Sequence, residues 1–187
     1  MIIDSETTGP PARGEVVTSP AYPHLVELAG LLLDEGGAEA ASFSFVVRPD
    51  GWEIPAEAAA IHGIDPARAR ARGVPLVVAL AAYTNLRALA DEVAGHNVAF
   101  DIGMIEAALH RSGRVPSHPG PGRIACTADL GTPLCRLPPT ERMVAAGFGG
   151  KPKDPTQHHA VPKMLVLLRT QGESAIPTIH LPQEAPA

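Results

Sequence analysis

Met1-Ile2-Ile3-Asp4-Ser5-Glu6-Thr7-Thr8-Gly9 is a short apolar run that carries two carboxylates two residues apart and breaks at Thr-Thr-Gly. In a β-strand successive side chains alternate faces, so Asp4 and Glu6 point to the same side. Two like charges held that close repel, and a cation between them removes the cost. Hard divalent ions such as Mg²⁺ take oxygen ligands, so the pair reads as half of a metal site. An acidic pair on a solvated strand edge is the plainer reading. The rest of the chain has to decide between them.

Downstream, Pro10–Pro23 is rich in Pro, Gly and Ser and reads as a loop. His24–Asp34 (HLVELAGLLLD) is an apolar run of strand length, closed by Glu35-Gly36-Gly37, and Ala41–Val47 alternates before the turn Arg48-Pro49-Asp50-Gly51. With residues 1–5 these predict three strands in an antiparallel meander. Ile54–His62 is Ala- and Glu-rich behind Pro55, the favoured first helical position, and stops at Gly63. Val77–Val93 places Leu80, Tyr83, Leu86, Leu89, Ala90 and Val93 at helical spacing. Asp91–Asp101 then predicts a short strand, a turn and a helix that runs to about Ser112, where Gly113 and Pro116 end it. Arg123–Thr127 is a further strand, residues 128–150 suit only short helical pieces, and Met164–Arg169 suits a helix. The fold class is therefore α/β, a mixed sheet flanked by helices, in one domain over 1–169 with a loose tail over 170–187.

Composition narrows the classes. The chain has 187 residues, 45% of them apolar and 19% charged, the balance of a folded domain with a buried core. No apolar run approaches the roughly 18 residues that span a membrane, and no secretory signal opens the chain. Cys126 and Cys135 form neither a ligand pattern nor a disulfide framework. The expected location is the cytoplasm, with no membrane partner. The net charge of −5 is unevenly spread: residues 1–65 hold eleven acids against Arg13 and Arg48, whereas 66–187 hold thirteen Lys and Arg against nine acids. An acidic metal edge beside a basic surface along a phosphate backbone is one reading; solvated faces of opposite sign are the other.

Ile61-His62-Gly63-Ile64 and Gly95-His96-Asn97-Val98-Ala99-Phe100-Asp101 follow the opening stretch in order. Together the three motifs resemble the DEDDh 3′–5′ exonuclease family, which has a ribonuclease-H-like fold and includes the proofreading epsilon subunit of DNA polymerase III. The similarity continues through Cys126-Thr127, Leu137-Pro138-Pro139 and Lys151-Pro152-Lys153, as in small phage and bacterial members, and covers roughly residues 1–153. The resemblance implies hydrolysis of phosphodiester bonds from 3′ ends by two divalent cations, Mg²⁺ or Mn²⁺, about 4 Å apart. Asp4 would bridge both ions, Glu6 would hold the one that carries the attacking water, and Asp101 would be the third metal-binding carboxylate. Thr7 would contact the terminal nucleotide, and His62, Asn97 and Phe100 would line the pocket, His62 serving equally as a turn stabiliser. The implied partners are single-stranded nucleic-acid 3′ ends, DNA ahead of RNA, and a DNA polymerase in replication or repair. Arg68, Arg70 and Arg72 could touch phosphates, although a solvated basic helix end is the plainer reading.

The chain departs from the family at its last motif, His, four residues, then Asp on one helical face. Here the counterpart is His158-His159-Ala160-Val161-Pro162-Lys163. His158 would be the general base, but Lys163 stands where the fourth acid belongs, and a cation there repels a divalent ion. Pro162 also disfavours helix at Val161. Two functions remain open: an active exonuclease with three of four acids, or an impaired module that binds nucleic-acid ends or a polymerase. A zinc site at His158 and His159 lacks further close ligands.

Overall fold

The computed structural model describes residues 1–114 and 123–128. Among the described residues five strands and four helices follow one another in this order: β1 (Ile2–Thr7), β2 (Leu25–Leu33), β3 (Glu39–Val46), α1 (Ala56–His62), α2 (Pro66–Arg72), α3 (Leu76–Arg87), β4 (Glu92–Gly95), α4 (Val98–Arg111) and β5 (Arg123–Cys126). The sheet runs in the order β3-β2-β1-β4-β5. The first three strands form the expected antiparallel meander, whereas β4 joins β1 and β5 joins β4 in parallel. Strand β1, with the acidic pair, is thus the central strand. No helix among the described residues is long and apolar enough to cross a membrane.

Strand β2 shows how the layers form. Val26, Leu28 and Leu32 are buried, and Glu27, Ala29, Leu31 and Leu33 between them are partly open. At its start Leu25 and Leu28 enter the main core with Leu80 and Tyr83 of α3 and with Met104, Ile105 and Leu109 of α4. Val26 instead enters a second, smaller cluster with Ile54, Ala58 of α1, Ile64 and Ala69 of α2. Each large apolar side chain so buried contributes roughly 1.5–3 kcal/mol, and the pair of clusters fixes α3 and α4 to one set of β2 side chains and α1 and α2 to another.

Three elements differ from expectation. Helix α3 stops at Arg87 rather than Val93, because Leu89 and Ala90 donate to the carbonyls of Leu86 and Arg87 in tight turns. Val93 is buried as a strand residue opposite Ile124. Parallel pairing with β5 outweighs the helical spacing of Leu89, Ala90 and Val93. Residues 66–72 form a helix of their own, α2, which Asp65 starts by accepting a hydrogen bond from the Arg68 amide at 2.8 Å. Pro55 takes the N-cap of α1 in extended conformation, one position earlier than expected. Cys135, His158, Lys163, the helical pieces expected within 129–150 and at 164–169, and the tail at 170–187 lie outside the described residues.

Candidate active site

The site is built where β1 and the start of α4 meet. Glu6 sits directly opposite Glu27 of β2 and Asp4 opposite Ala29, and the register slips just beyond, between Glu6 and Thr7. On the other flank β4 reaches Gly95, where a Cβ would stand 3.1 Å from the Ile3 carbonyl and from Val98. Glycine lets the strand turn into the helix that close to β1 without pushing its neighbours aside. Asn97 then takes a left-handed backbone (φ 53°, ψ 43°), alone among the described non-glycine residues. Asparagine tolerates that region better than most residues, at a cost on the order of 1 kcal/mol. The turn aims α4 so that Asp101, in its first turn, is buried at 3% exposure. A carboxylate there is favoured by the helix dipole.

Ser5 Oγ donates to Asp101 Oδ1 at 2.6 Å, tying the strand to the helix across 96 residues of sequence. Burial pushes the Asp4 carboxyl up to about 8, with the negative charges of Asp101, Glu6 and Glu27 adding to the effect. Burial likewise lifts Asp101 to about 7, against the lowering influence of the Ser5 hydrogen bond. Three sequence-predicted acids therefore share one electrostatic neighbourhood, in which Glu6 makes ionisation of both Asp4 and Asp101 harder and Asp101 makes that of Asp4 harder. A divalent cation reverses that penalty, and the donor set, all carboxylate oxygen, is the one that hard ions take. As the side chains stand, no group of three or more His, Cys, Asp or Glu among the described residues is arranged to hold a metal ion.

The remaining expected site residues divide. Thr7 Oγ1 donates to the Gly9 carbonyl at 2.9 Å and accepts from the Gly9 amide at 3.3 Å, shaping the turn after β1. Phe100 is half-buried against the main core, and its amide donates to the Asn97 carbonyl at 2.8 Å. His62 is 3% exposed, and its Nδ1 accepts from the Ile64 amide at 3.1 Å, which closes the turn at Gly63. That is the turn-stabilising geometry anticipated beside its pocket role. His158 lies outside the described residues.

Beyond these, the structure adds Ser5 and Glu27. Glu27 is the lone acid inside the apolar β2 run, and its Oε1 accepts from Ser44 Oγ at 2.8 Å. An acid in such a run is the signal by which it could be found; Ser5 has none beyond lying between Asp4 and Glu6. Next to the turn, the Thr8 amide donates to the His24 carbonyl and Thr8 Oγ1 accepts from the His24 amide. The His24 ring stacks on Trp52 with centroids 4.9 Å apart, and its Nδ1 faces Arg111 at 3.2 Å. Arg111 also donates to the carbonyls of Tyr22 and Pro23, so the end of α4 holds the loop that precedes β2.

A family model described as an exonuclease, RNase_T, matches residues 1–130. Among solved structures, Escherichia coli exonuclease I in complex with a 5cy-dA13 oligonucleotide matches at a TM-score of 0.66 and 21% identity, covering 90% of this chain and 40% of that one. The zinc-bound form of the E. coli exonuclease I–ssDNA complex matches at 0.67 and 20%, over 91% and 40%. A moderately thermophilic exonuclease I from Methylocaldum szegediense matches at 0.59 and 22%, over 72% and 29%. These likenesses show the ribonuclease-H-like exonuclease fold, and the chain spans about 40% of the length of the E. coli protein. A search of curated proteins found no match.

Proposed function

We propose that this chain, which belongs to the RNase_T exonuclease family, is a divalent-metal-dependent 3′–5′ exonuclease acting on single-stranded DNA ends. The observation that carries the reading is the neighbourhood of half-buried Asp4 and buried Asp101, two carboxyls raised to about 8 and about 7 beside Glu6. Burying acids together has no structural return. It does prepare a place where cation binding is coupled to release of their protons.

Asp4, Glu6 and Asp101 would hold two Mg²⁺ or Mn²⁺ ions. When bound, such ions supply charge neutralisation at the phosphate and a more acidic water. Ser5 holds one oxygen of Asp101 and so sets the direction of its other oxygen. The Thr7 hydroxyl and the turn it shapes would meet the terminal nucleotide, with Asn97 and Phe100 on the facing side and His62 under the Gly63 turn. His158 would take the proton of the attacking water as the phosphorus–oxygen bond to the 3′-oxygen breaks. The exonuclease I structures hold single-stranded oligonucleotides, and one holds zinc, which supports DNA ahead of RNA and a bound divalent metal. A cytoplasmic role in replication or repair beside a polymerase goes with this reading.

The test is a 5′-labelled single-stranded oligonucleotide incubated with the chain in Mg²⁺ or Mn²⁺. The expected result is a ladder that shortens from the 3′ end and is abolished by chelation and by Asp101→Asn. No shortening in either metal, with end binding retained, would replace the enzyme with the binding module that Lys163 implies.

A further inference from the structure

Resting on the exonuclease reading, we propose that the exposed arginines of α2, Arg68, Arg70 and Arg72, form a phosphate-gripping surface for the nucleotides behind the 3′ end of a single strand. Helix α2 is placed for it. Its Ala69, at 0% exposure, packs in the small cluster with Val26 of β2. Val26 lies between Leu25 and Glu27, the partners of Thr7 and Glu6 across the sheet. The cluster that anchors α2 therefore includes the β2 residue next to the strand partners of Glu6 and Thr7.

Ordinary helix electrostatics explains only part of the charge. Arg70 and Arg72 stand in the last turn, where the dipole favours cations. Arg68 does not: it is in the first turn, which holds no acid, and there the dipole opposes a positive charge. Arg68 and Arg72 are also four residues apart on one face, a like-charge spacing that destabilises an isolated helix. All three are exposed. Among the described residues none of them takes part in an ion pair or a side-chain hydrogen bond. Ala69 anchors the helix, so the arginines flank that buried line and face solvent.

The backbone of a fourth arginine, Arg48, lies beside Gly73 at the end of α2. After α2 the chain docks on the end of β3, where the Arg48 amide donates to the Val74 carbonyl and the Val74 amide to the Val46 carbonyl, both at 2.8 Å. Arg48, one of only two Lys or Arg in residues 1–65, is exposed there. A polyanion approaching Asp4, Glu6, Glu27 and Asp101 meets repulsion at the centre, and this basic rim supplies the attraction that offsets it. A phosphate chain is the occupant that such spaced, exposed guanidiniums suit.

The experiment measures binding of fluorescent dT15 and dT3 by anisotropy in Ca²⁺, between about 50 and 200 mM salt. It compares the wild-type chain, Arg68→Gln/Arg70→Gln/Arg72→Gln, and a control of equal charge change, Arg13→Gln/Arg114→Gln/Arg123→Gln. The α2 variant should bind dT15 about tenfold or more weakly at low salt, with the log–log salt slope smaller by about 2, from roughly 0.7 per phosphate contact. Its dT3 affinity and the control's dT15 affinity should stay within twofold of wild type. An unchanged slope in the α2 variant, or an equal loss in the control, overturns the surface while leaving the exonuclease reading intact. A wild type that neither binds nor cleaves any oligonucleotide overturns both. Circular dichroism melts that coincide with wild type establish that all three chains are folded.

Discussion

Asp4 carries the sharpest consequence at the scale of single residues. Its carboxyl titrates near 8 in the fold against 3.8 in an unfolded chain, so between those values the native state holds more proton than the unfolded one. Stability therefore falls as pH rises through that window. In EDTA the melting temperature should drop between pH 5 and pH 8, and Asp4→Asn should flatten the drop. Mg²⁺ should raise the melting temperature more at pH 8 than at pH 5, because the ion competes with protons for the same oxygens; an equal gain at both would count against metal binding here. Ser5→Ala removes the donor that opposes the upward shift of Asp101. Its expected cost is about 1 kcal/mol, and the pH at which the Mg²⁺ gain sets in should move upward. That Asp4, Glu6 and Asp101 lie close together was legible because strand spacing and motif order point to them. Ser5 and Glu27 were not, since their parts depend on a contact across 96 residues and on which residue of β2 stands opposite Glu6.

Among the elements, the end of α4 and the loop before β2 behave as one unit. Arg111 can only donate, so His24 Nδ1 accepts, and the imidazole must be neutral with its proton on Nε2. Burial, aided by the Arg111 charge, lowers His24 to about 4 from 6.5. A depressed histidine contributes stability that is present above pH 6.5 and lost as pH falls toward 4, opposite in sign to Asp4 over the same range. His24→Phe keeps a ring against Trp52 but cannot protonate, so its melting temperature relative to wild type should climb steadily from pH 7 to pH 4.5. A constant offset would show that the clasp does not titrate. Gly73, where α2 leaves for β3, is a second junction: a Cβ there would meet the Ala69 carbonyl and lie 2.7 Å from the Arg48 amide. Both are backbone atoms, so Gly73→Ala should destabilise by about 1–3 kcal/mol in urea melts. The meander and α4 could be read from runs and turn residues alone. The early end of α3 could not, because Val93 obeys helical spacing and is claimed by a parallel partner thirty-one residues further on.

Across the whole molecule, the meander follows from local turns, but the placing of β4 beside β1 does not. Parallel pairing leaves no hairpin signal, and it is this pairing that carries Asp101 to Asp4. Charge behaves in the same way. A net charge of −5 suggests a body that repels DNA, and for such a body added salt would screen the repulsion and raise kcat/KM on single strands. The structure distributes the charge unevenly, with acids of β1, β2 and α4 close to one another and exposed guanidiniums gathered on α2. At separations beyond the roughly 8–10 Å over which salt screens at physiological strength, the net charge counts for little. A strand seated on the molecule feels the groups it touches. Steady-state cleavage of dT15 should therefore slow as salt rises from 50 to 200 mM at fixed Mg²⁺, through KM rather than kcat, while cleavage of dT3 should change little. A rate that rises with salt would mean that the overall negative charge governs encounter, and that the basic rim plays no part in it.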